Sequence, residues 1–151
     1  MKIDIGAGKN KKPGFIGIDF VQQEGVDIMM DVTKMPLPFK DNEVEEVWSY
    51  HTFEHLDIDG IEYLLKEIWR VCKPGAKVTI TVPYRCYDYM RHKTWWMGLH
   101  FFDQLDMGDP KYFTREDIPW DMNFKVQSRL IRGRLRPWKK YGVVYVMEVV
   151  K

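Results

Sequence analysis

Four short β-type runs fill much of the first fifty residues, and each ends in a glycine-rich or polar segment. They are Lys2 to Ile5 before Gly6, Phe15 to Ile18 before Asp19, Val26 to Met30 before Asp31, and Val44 to Tyr50 before His51. Short strands separated by turns and followed by a helix are typical of a mostly parallel α/β sheet. In such a sheet ligands bind outside the carboxyl ends of the strands. The pattern therefore predicts both a fold class and the edge of the sheet that would carry a site.

One amphipathic helix is predicted from Gly60 to Cys72. Its apolar residues recur at the spacing of a single helical face: Ile61, Leu64, Leu65, Ile68, Trp69 and Cys72. This period is that of a surface helix packed on a core. Asp59 is the expected N-cap, and Lys73 to Gly75 gives the helix a stop signal. The β-branched run Lys77 to Val82 is predicted to be the next strand.

We expect one domain spanning residues 1–151, because this length suffices for a single core. Two closing strands are predicted, at Phe124 to Leu130 and at Val143 to Val150. The expected fold is α/β, with a Rossmann-like, mostly parallel sheet and an antiparallel C-terminal edge strand. Lys12-Pro13-Gly14 lies between the first two strands and leaves little room, so the first helix is expected to be truncated.

Composition and charge indicate a globular chain whose overall charge favours no nucleic acid or membrane partner. Hydrophobic residues make up 45% and charged residues 30%, with a formal net charge of +1, so no overall field favours nucleic acid or a membrane. No apolar run approaches the roughly 20 residues of a membrane span, and the N-terminus has no signal-peptide pattern. Cys72 and Cys86 stand in unrelated contexts. We therefore expect no disulfide framework and a cytoplasmic location.

Glycines and acids at the strand ends predict a site for an adenosine-bearing cofactor. Gly6 and Gly8 let the backbone approach a ligand where a Cβ would clash. Asp19 is placed to accept both hydroxyls of a ribose, and Asp31 to accept from an adenine amino group. A dinucleotide site needs G-x-G-x-x-G leading into a helix that receives a pyrophosphate, but the third position here is Lys11. A cofactor without phosphates, S-adenosylmethionine (SAM), fits better.

Three segments in this order resemble small class I SAM-dependent methyltransferases of the short, type 11-like group with a reduced first helix. The segments are IDIGAGKNKKPGFIGIDF, DVTKMPLPFKDNEVEEVWSYHTFEHL and LLKEIWRVCKPGAKVTITVPY, and the resemblance covers residues 2–84. A weaker likeness lies in KYFTREDI, from Lys111 to Ile118. The chain departs from the family pattern at Asn10, where a third glycine is frequent.

The resemblance implies a set of cofactor-binding residues: Asp4, Gly6, Ala7, Gly8, Asp19, Phe20, Asp31, Val32, Ser49 and His51. By the same resemblance, Asp4 would steer the amino group of the methionine part through water or backbone. Val32 would join Asp31 at the adenine. Ser49 and His51 would lie beside the sulfonium end.

The stretch YHTFEHL, Tyr50 to Leu56, contains H-x-x-E-H, the spacing of inverted zinc peptidases. That hypothesis needs His51 and His55 on one helix, whereas the run before them reads as strand, so no metal site is predicted. His51 is instead the predicted general base, although proximity and alignment alone suffice in many methyl transfers. For Glu54 and His55, a loop glutamate capping backbone and a histidine packed under the helix are the structural alternative to catalysis.

The acceptor is predicted only by class. Ser49-Tyr50-His51-Thr52 stands where the amino-methylating nucleic-acid enzymes of this fold carry Asn/Asp-Pro-Pro-aromatic, and no cysteine is present there for a C5 reaction. A hydroxyl or carboxyl on a small-molecule or carbohydrate-like acceptor is therefore expected, with nucleic acid disfavoured. The alternative is a catalytically inactive SAM-binding or RNA-associated scaffold or partner subunit. A homodimer also remains open.

Two further features have two interpretations each. The aromatic segment from Tyr84 to Phe102 includes Trp95 and Trp96, which would either stack on an acceptor ring or form an interface. A basic run would be either a solvated hairpin loop or a contact with phosphate. Its residues are Lys125, Arg129, Arg132, Arg134, Arg136, Lys139 and Lys140.

Overall fold

The computed structural model describes residues 1–84, 122–132 and 141–151, which form a mixed sheet and a helix. The strands are β1 Lys2–Ile5, β2 Ile16–Asp19, β3 Ile28–Met29, β4 Val44–Tyr50, β5 Cys72–Tyr84, β6 Asn123–Arg132 and β7 Tyr141–Val150. Helix α1 spans Ile58–Val71 and follows a single 3-10 turn at Phe53–His55. Trp95, Trp96, the KYFTREDI segment and the basic residues from Arg134 to Lys140 lie outside the described residues.

The seven strands lie in the order β3-β2-β1-β4-β5-β7-β6. Strands β1 to β5 pair in parallel, whereas β7 runs antiparallel to both β5 and β6. The predicted Rossmann-like, mostly parallel sheet with an antiparallel C-terminal edge is confirmed, and β7 is inserted between β5 and β6. After β3 the chain returns across the sheet to place β4 beside β1. This change of direction creates a topological switch point between the carboxyl ends of β1 and β4.

Turns replace a helix in the first crossover, between β1 and β2. The Phe15 N–H donates to the Lys12 carbonyl over 3.2 Å and closes one of these turns. Lys12 Nζ lies 4.4 Å from the Phe15 ring centroid and 3.9 Å from that of Trp48, and 3.4 Å from a Glu46 carboxylate oxygen. These cation–π and ionic contacts hold the short connection against the sheet. The prediction of a truncated first helix is confirmed.

The core lies between α1 and the sheet. On α1 the buried residues are Gly60, Ile61, Leu64, Leu65, Ile68 and Val71, which confirms the predicted apolar face. They pack with strand residues that have no solvent exposure, among them Ile3, Ile5, Val47, Val78 and Ile80. Parallel strands covered in this way read as apolar runs. Helix α1 has 14 residues, and nowhere in the described ranges is a helix long and apolar enough to cross a membrane.

The N-cap of α1 and the length of β3 differ from the prediction. Asp57, not Asp59, is the N-cap of α1, because its carboxylate accepts a 2.9 Å hydrogen bond from the Gly60 N–H. The third strand is shorter than predicted: Ile28–Met29 alone pair with β2. The Val26 N–H instead donates to the Gln23 carbonyl, so this residue belongs to a turn.

Strand β5 begins at Cys72, directly after α1 and earlier than the predicted Lys77. Its pairing with β4 is irregular between Val44 and Glu46. Gly75 in the intervening segment has φ +79°, a conformation that glycine adopts without strain. Lys73 to Gly75, which were predicted to end the helix, therefore form an irregular part of strand β5.

The Arg70 side chain fastens the segment before β4 to α1. Its guanidinium donates to both carboxylate oxygens of Glu67 at 2.9 and 2.7 Å. It also donates to the carbonyls of Leu37 and Phe39 at 3.0 and 3.1 Å, and to Asp41 at 2.7 Å. The hydrogen bonds from Arg70 lower the pKa of Glu67. One planar side chain thus satisfies groups on two segments, which a lysine ammonium cannot reproduce.

Replacement of Arg70 by lysine is expected to lower the free energy of unfolding by about 1–2 kcal/mol, because several charge-assisted hydrogen bonds are lost. Urea denaturation measures this change. The control is Lys66→Met, since among the described residues Lys66 pairs with Glu62 alone, in an exposed i, i+4 contact of 2.6 Å, worth about 0.3–0.5 kcal/mol. Equal losses in the two variants would contradict the role assigned to Arg70.

Candidate active site

The loop after β1 lies at the switch point and is held by its own backbone. The N–H groups of Gly6 and Ala7 both donate to the Ile18 carbonyl, at 2.8 and 3.2 Å. The Gly8 N–H donates to an Asp19 carboxylate oxygen at 3.1 Å. With these donors engaged, the loop does not offer the array of free N–H groups that a pyrophosphate requires. The geometry agrees with the prediction of a cofactor without phosphates.

Gly6 touches the loop that follows β4. A Cβ built on Gly6, where φ is +73°, would lie 1.9 Å from the Thr52 hydroxyl oxygen. The Thr52 hydroxyl and the Ser49 hydroxyl both donate to the Ile5 carbonyl, at 3.1 and 3.0 Å. Hydrogen bonds to one carbonyl therefore tie the end of β1 to the loop that carries His51.

Asp19 ends β2 and faces the same loop. One of its carboxylate oxygens accepts from the Gly8 N–H and the other accepts from the Val21 N–H at 3.0 Å. Beside it, the apolar side chains of Phe20 and Met29 are 76% and 62% exposed. An acid flanked by exposed apolar side chains offers hydrogen-bond acceptors to a ribose and a surface to an aromatic base.

Asp31 follows β3 and caps the turn after it. One of its oxygens accepts from the Thr33 N–H at 3.0 Å and from the Thr33 hydroxyl at 2.6 Å. The other lies 2.9 Å from Lys34 Nζ. The hydrogen bonds from Thr33, then that from Lys34, lower the pKa of Asp31 to about 2. Val32, next to it, is buried, so its backbone rather than its side chain is available to a ligand.

Asp4 lies beneath the loop, inside the sheet. Its side chain is buried and accepts a 2.7 Å hydrogen bond from the Lys12 N–H. Burial raises the pKa of this carboxyl, and the Lys12 N–H together with the charges of Lys12 and Lys11 partly offsets that rise. Asp4 is therefore an ionisable group kept in an environment that disfavours its charge, as is common at functional sites.

His51 directly follows β4, at the other side of the switch point. Its φ is +57°, and its N–H donates to the Thr81 carbonyl of β5 at 2.9 Å. Its ring Nδ1 lies 2.8 Å from a Glu54 carboxylate oxygen. Glu54 is buried, whereas His55 is exposed. The structural alternative for His55, packing under the helix, does not match its exposure.

The left-handed backbone at His51 precludes the continuous helix that a two-histidine zinc site requires. A strand precedes His51 and only a 3-10 turn, Phe53–His55, follows it. Across residues 1–84, 122–132 and 141–151, no three His, Cys, Asp or Glu side chains are grouped so that they could hold a metal ion.

A family model described as a methyltransferase domain matches residues 4–80. The match begins at Asp4 and includes the Gly6–Gly8 loop, Asp19, Asp31 and the His51 loop. The chain belongs to this methyltransferase family. It is an enzyme of the SAM-dependent class, and its cofactor is S-adenosylmethionine.

Solved structures of methyltransferases share the fold. A SAM-dependent methyltransferase from Methanosarcina mazei is 15% identical, with a TM-score of 0.60, over 99% of this chain and 92% of that one. The Burkholderia thailandensis 1,6-didemethyltoxoflavin-N1-methyltransferase, solved with 1,6-didemethyltoxoflavin and S-adenosylhomocysteine, is 11% identical, with a TM-score of 0.64, over 99% and 71% of the chains. A Haloferax volcanii methyltransferase in complex with the Trm112 activator is 17% identical, with a TM-score of 0.57, over 99% and 82%. No curated protein matches the sequence.

The residues of this methyltransferase fit its cofactor at Gly8 in particular. Gly8 has φ +52°, and no described atom lies within 4 Å of the position that a Cβ would take there. A ligand can therefore approach its backbone directly. Asp19 ends β2 and Asp31 follows β3, so their carboxylates lie at the same edge of the sheet as this loop, and negative charge there suits a cofactor that carries a sulfonium and an ammonium group.

The fold brings most of the predicted site residues to one edge of the sheet, but their side chains differ in how far they are exposed to a ligand. Asp19, Phe20 and His51 are partly or largely exposed, whereas Ser49 is fully buried with its hydroxyl committed to Ile5. A contact of Ser49 with the sulfonium end stays a prediction, and it would have to use the backbone of Ser49. The contact of Thr52 with Gly6 is not among the predicted features of the site. The glycine at position 6 is the one signal for it, because glycine is favoured where another group approaches the backbone closely.

Asp4→Asn is expected to raise the free energy of unfolding and to lower the affinity for the cofactor. The amide oxygen still accepts from the Lys12 N–H, while the buried charge is removed, so the free energy of unfolding at neutral pH should rise by about 1 kcal/mol. This gain should shrink as pH falls through the raised pKa of Asp4, because the wild-type carboxyl then becomes neutral as well. Affinity for SAM should fall about tenfold.

Denaturation across acidic to neutral pH and calorimetric titration with SAM measure these two changes. Asp4→Ala is the matched variant, because it removes the acceptor for the Lys12 N–H and should lose both stability and affinity. A destabilised Asp4→Asn variant with unchanged affinity would contradict a functional role for the charge.

Proposed function

We propose that this methyltransferase methylates an oxygen, a hydroxyl or a carboxyl, on a small-molecule or carbohydrate-like acceptor by in-line displacement. The observation that carries the proposal is the position of His51. His51 follows β4 at the switch point, and its loop contacts the loop from Gly6 to Gly8, here called the cofactor loop, through Thr52 and Gly6. A partly exposed imidazole in that place is suited to take a proton from an acceptor.

The cofactor roles are divided among the strand ends. Asp19 would accept from the ribose, with Phe20 beside the adenine and Asp31 and Val32 further along that edge. Gly6, Ala7 and Gly8 would bring backbone close to the methionine part, which Asp4 would steer through the loop. When bound, the cofactor supplies a methyl group on a positively charged sulfur that is a good leaving group.

The acceptor side combines a polar and an aromatic group. The side chain of His51 is 31% exposed. Tyr50 is exposed too, and its ring lies edge-on to the imidazole with 4.3 Å between ring centroids. An aromatic ring beside an imidazole suits a small acceptor that presents a hydrogen-bonding oxygen on an apolar or sugar ring. These contacts support a small acceptor rather than a nucleic-acid backbone.

The test is transfer of tritium-labelled methyl from SAM to a panel of sugars, nucleotide-sugars, phenols and carboxylic acids. With an acceptor found in this panel, His51→Ala should reduce kcat about 100-fold or more and change affinity for S-adenosylhomocysteine less than threefold. His55→Ala is the matched control, because it removes an exposed histidine from the same loop. Undiminished turnover in His51→Ala would refute the general base. Binding of the cofactor with no transfer to any acceptor would favour the inactive scaffold.

A further inference from the structure

The buried Glu54 carboxylate is the strongest feature of the site that the cofactor does not explain. Its side chain is 2% exposed, and one of its oxygens lies 2.8 Å from Nδ1 of His51. Burial of a carboxylate is costly unless the group is hydrogen-bonded. In the described part of the chain, His51 is the hydrogen-bonding partner of Glu54, and the other carboxylate oxygen is buried without one. The burial is therefore poorly compensated, which indicates a requirement other than stability.

The backbone of His51 has an uncommon conformation. A φ of +57° is infrequent outside glycine, although histidine, like asparagine and aspartate, adopts it more often than other residues do. The conformation persists because the His51 N–H is held by the Thr81 carbonyl at 2.9 Å. His51 is thus held at two points: its backbone N–H is bonded to β5, and its ring Nδ1 is bonded to Glu54.

The direction of the hydrogen bond follows from the chemistry of the two groups. An ionised carboxylate only accepts, so with Glu54 ionised Nδ1 of His51 carries the proton in this contact. A neutral imidazole with a proton on Nδ1 has its lone pair on Nε2. The ring nitrogen opposite Glu54 therefore presents an acceptor, and not a donor, to a group that approaches it.

We propose that Glu54 is a positioning residue that holds His51 in the Nδ1–H tautomer, so that Nε2 takes the proton of a hydroxyl acceptor. This inference rests on the proposed function and narrows its acceptor class. A carboxyl acceptor is already deprotonated at neutral pH and needs no base. A hydroxyl instead loses its proton as the new oxygen–carbon bond forms and the methyl carbon–sulfur bond breaks, with the electron pair of that bond staying on sulfur so that S-adenosylhomocysteine leaves. That proton goes to Nε2, the Nδ1 proton stays on His51, and Glu54 remains a carboxylate.

The tautomer can be measured without an acceptor or cofactor. Long-range proton–nitrogen correlation spectra of the nitrogen-labelled full chain, at a pH where the rings are neutral, distinguish a protonated Nδ1 from a protonated Nε2. His51→Ala assigns the signal, and His55 serves as an internal reference. We expect His51 in wild type to be protonated at Nδ1, the opposite of the form that free neutral histidine favours in water. A predominantly Nε2-protonated His51 would overturn the proposal.

Glu54 variants then separate positioning from a merely structural role. In Glu54→Leu the Nδ1–H preference should disappear, and kcat with a hydroxyl acceptor should fall 10- to 100-fold while affinity for S-adenosylhomocysteine changes less than threefold. Glu54→Asp, which keeps a carboxylate, should recover part of both. Glu62→Gln, on the exposed face of α1, is the control. If Glu54→Leu fails to fold, the wild-type tautomer still decides the inference. Failure of wild type to bind S-adenosylhomocysteine would refute the proposed function instead.

Discussion

Gly6→Ala is expected to destabilise the chain more than any other single methyl group added in the cofactor loop. The new Cβ would lie 1.9 Å from Thr52 Oγ1, 2.7 Å from its Cγ2 and 2.8 Å from its Cβ, at a φ of +73°. Backbone strain of about 1–2 kcal/mol adds to overpacking of about 1–3 kcal/mol. The total, roughly 2–5 kcal/mol, is a large part of the 5–15 kcal/mol that stabilises a typical domain. Thermal and urea unfolding measure the loss.

Gly8→Ala is the matched control for this prediction. Its φ of +52° brings a comparable backbone strain, but no described atom lies within 4 Å of the added Cβ. We expect a loss of about 1–2 kcal/mol in stability together with a loss of affinity for SAM of tenfold or more, because the methyl group enters the space beside the cofactor. Equal destabilisation by the two substitutions would contradict the contact between Gly6 and Thr52.

A double variant isolates that contact further. Thr52→Gly removes all three side-chain atoms that a Cβ at position 6 would meet, although it also removes the hydroxyl that donates to Ile5. Gly6→Ala combined with Thr52→Gly should therefore be more stable than the sum of the single losses predicts. Strict additivity would mean that backbone strain alone accounts for Gly6→Ala.

Asp19→Asn is expected to reduce the affinity for SAM and for S-adenosylhomocysteine by 30- to 1,000-fold. Two ribose hydroxyls would lose a charged acceptor, and hydrogen bonds to charged groups contribute about 1.5–3 kcal/mol each. Since the amide oxygen of asparagine still accepts one hydrogen bond, the combined loss should be about 2–4 kcal/mol. Stability should fall as well, because the two carboxylate oxygens accept from the Gly8 and Val21 N–H groups. Asparagine has one acceptor oxygen, so one of these donors would face an amide NH2 group. Calorimetric titration and urea denaturation measure the two effects.

Asp27→Asn supplies the control for that loss of stability. Asp27 accepts from the Gly17 N–H at 2.7 Å and pairs with Lys11 at 2.8 Å, so it fastens the same region without lying at the end of a central strand. Its asparagine variant should be destabilised to a similar degree and keep its cofactor affinity within about threefold. An equal loss of cofactor affinity in Asp19→Asn and Asp27→Asn would show that Asp19 affects binding only by stabilising the fold.

The fold was largely predictable because its signals are local. Strands β1 and β4 have the predicted boundaries, since apolar alternation and polar stops mark both ends. The start of α1 was misplaced because Asp57 and Asp59 are both good N-caps and the apolar period begins only at Ile61. The length of β3 depends on how many residues an edge strand pairs with its neighbour, which the run itself does not encode.

The site was predictable only as far as strand ends determine it. Gly6, Asp19 and His51 meet at one edge because parallel strands bring their carboxyl ends together. The burial of Glu54 and the approach of Thr52 to Gly6 are tertiary facts, because a polar residue in a polar loop carries no local sign that it is enclosed. The same holds for Ser49, whose hydroxyl turns away from the site to the Ile5 carbonyl.

Titration of the nitrogen-labelled chain with S-adenosylhomocysteine, followed by proton–nitrogen correlation spectra, tests most directly where the cofactor binds. The account predicts that the largest amide shifts occur at Gly8, Phe20, Val32 and His51, at the carboxyl ends of four neighbouring strands. Amides on the exposed face of α1 and on the paired part of β7 should not move. Saturable binding with no shift at Gly8 and Phe20 would contradict the site described for this methyltransferase.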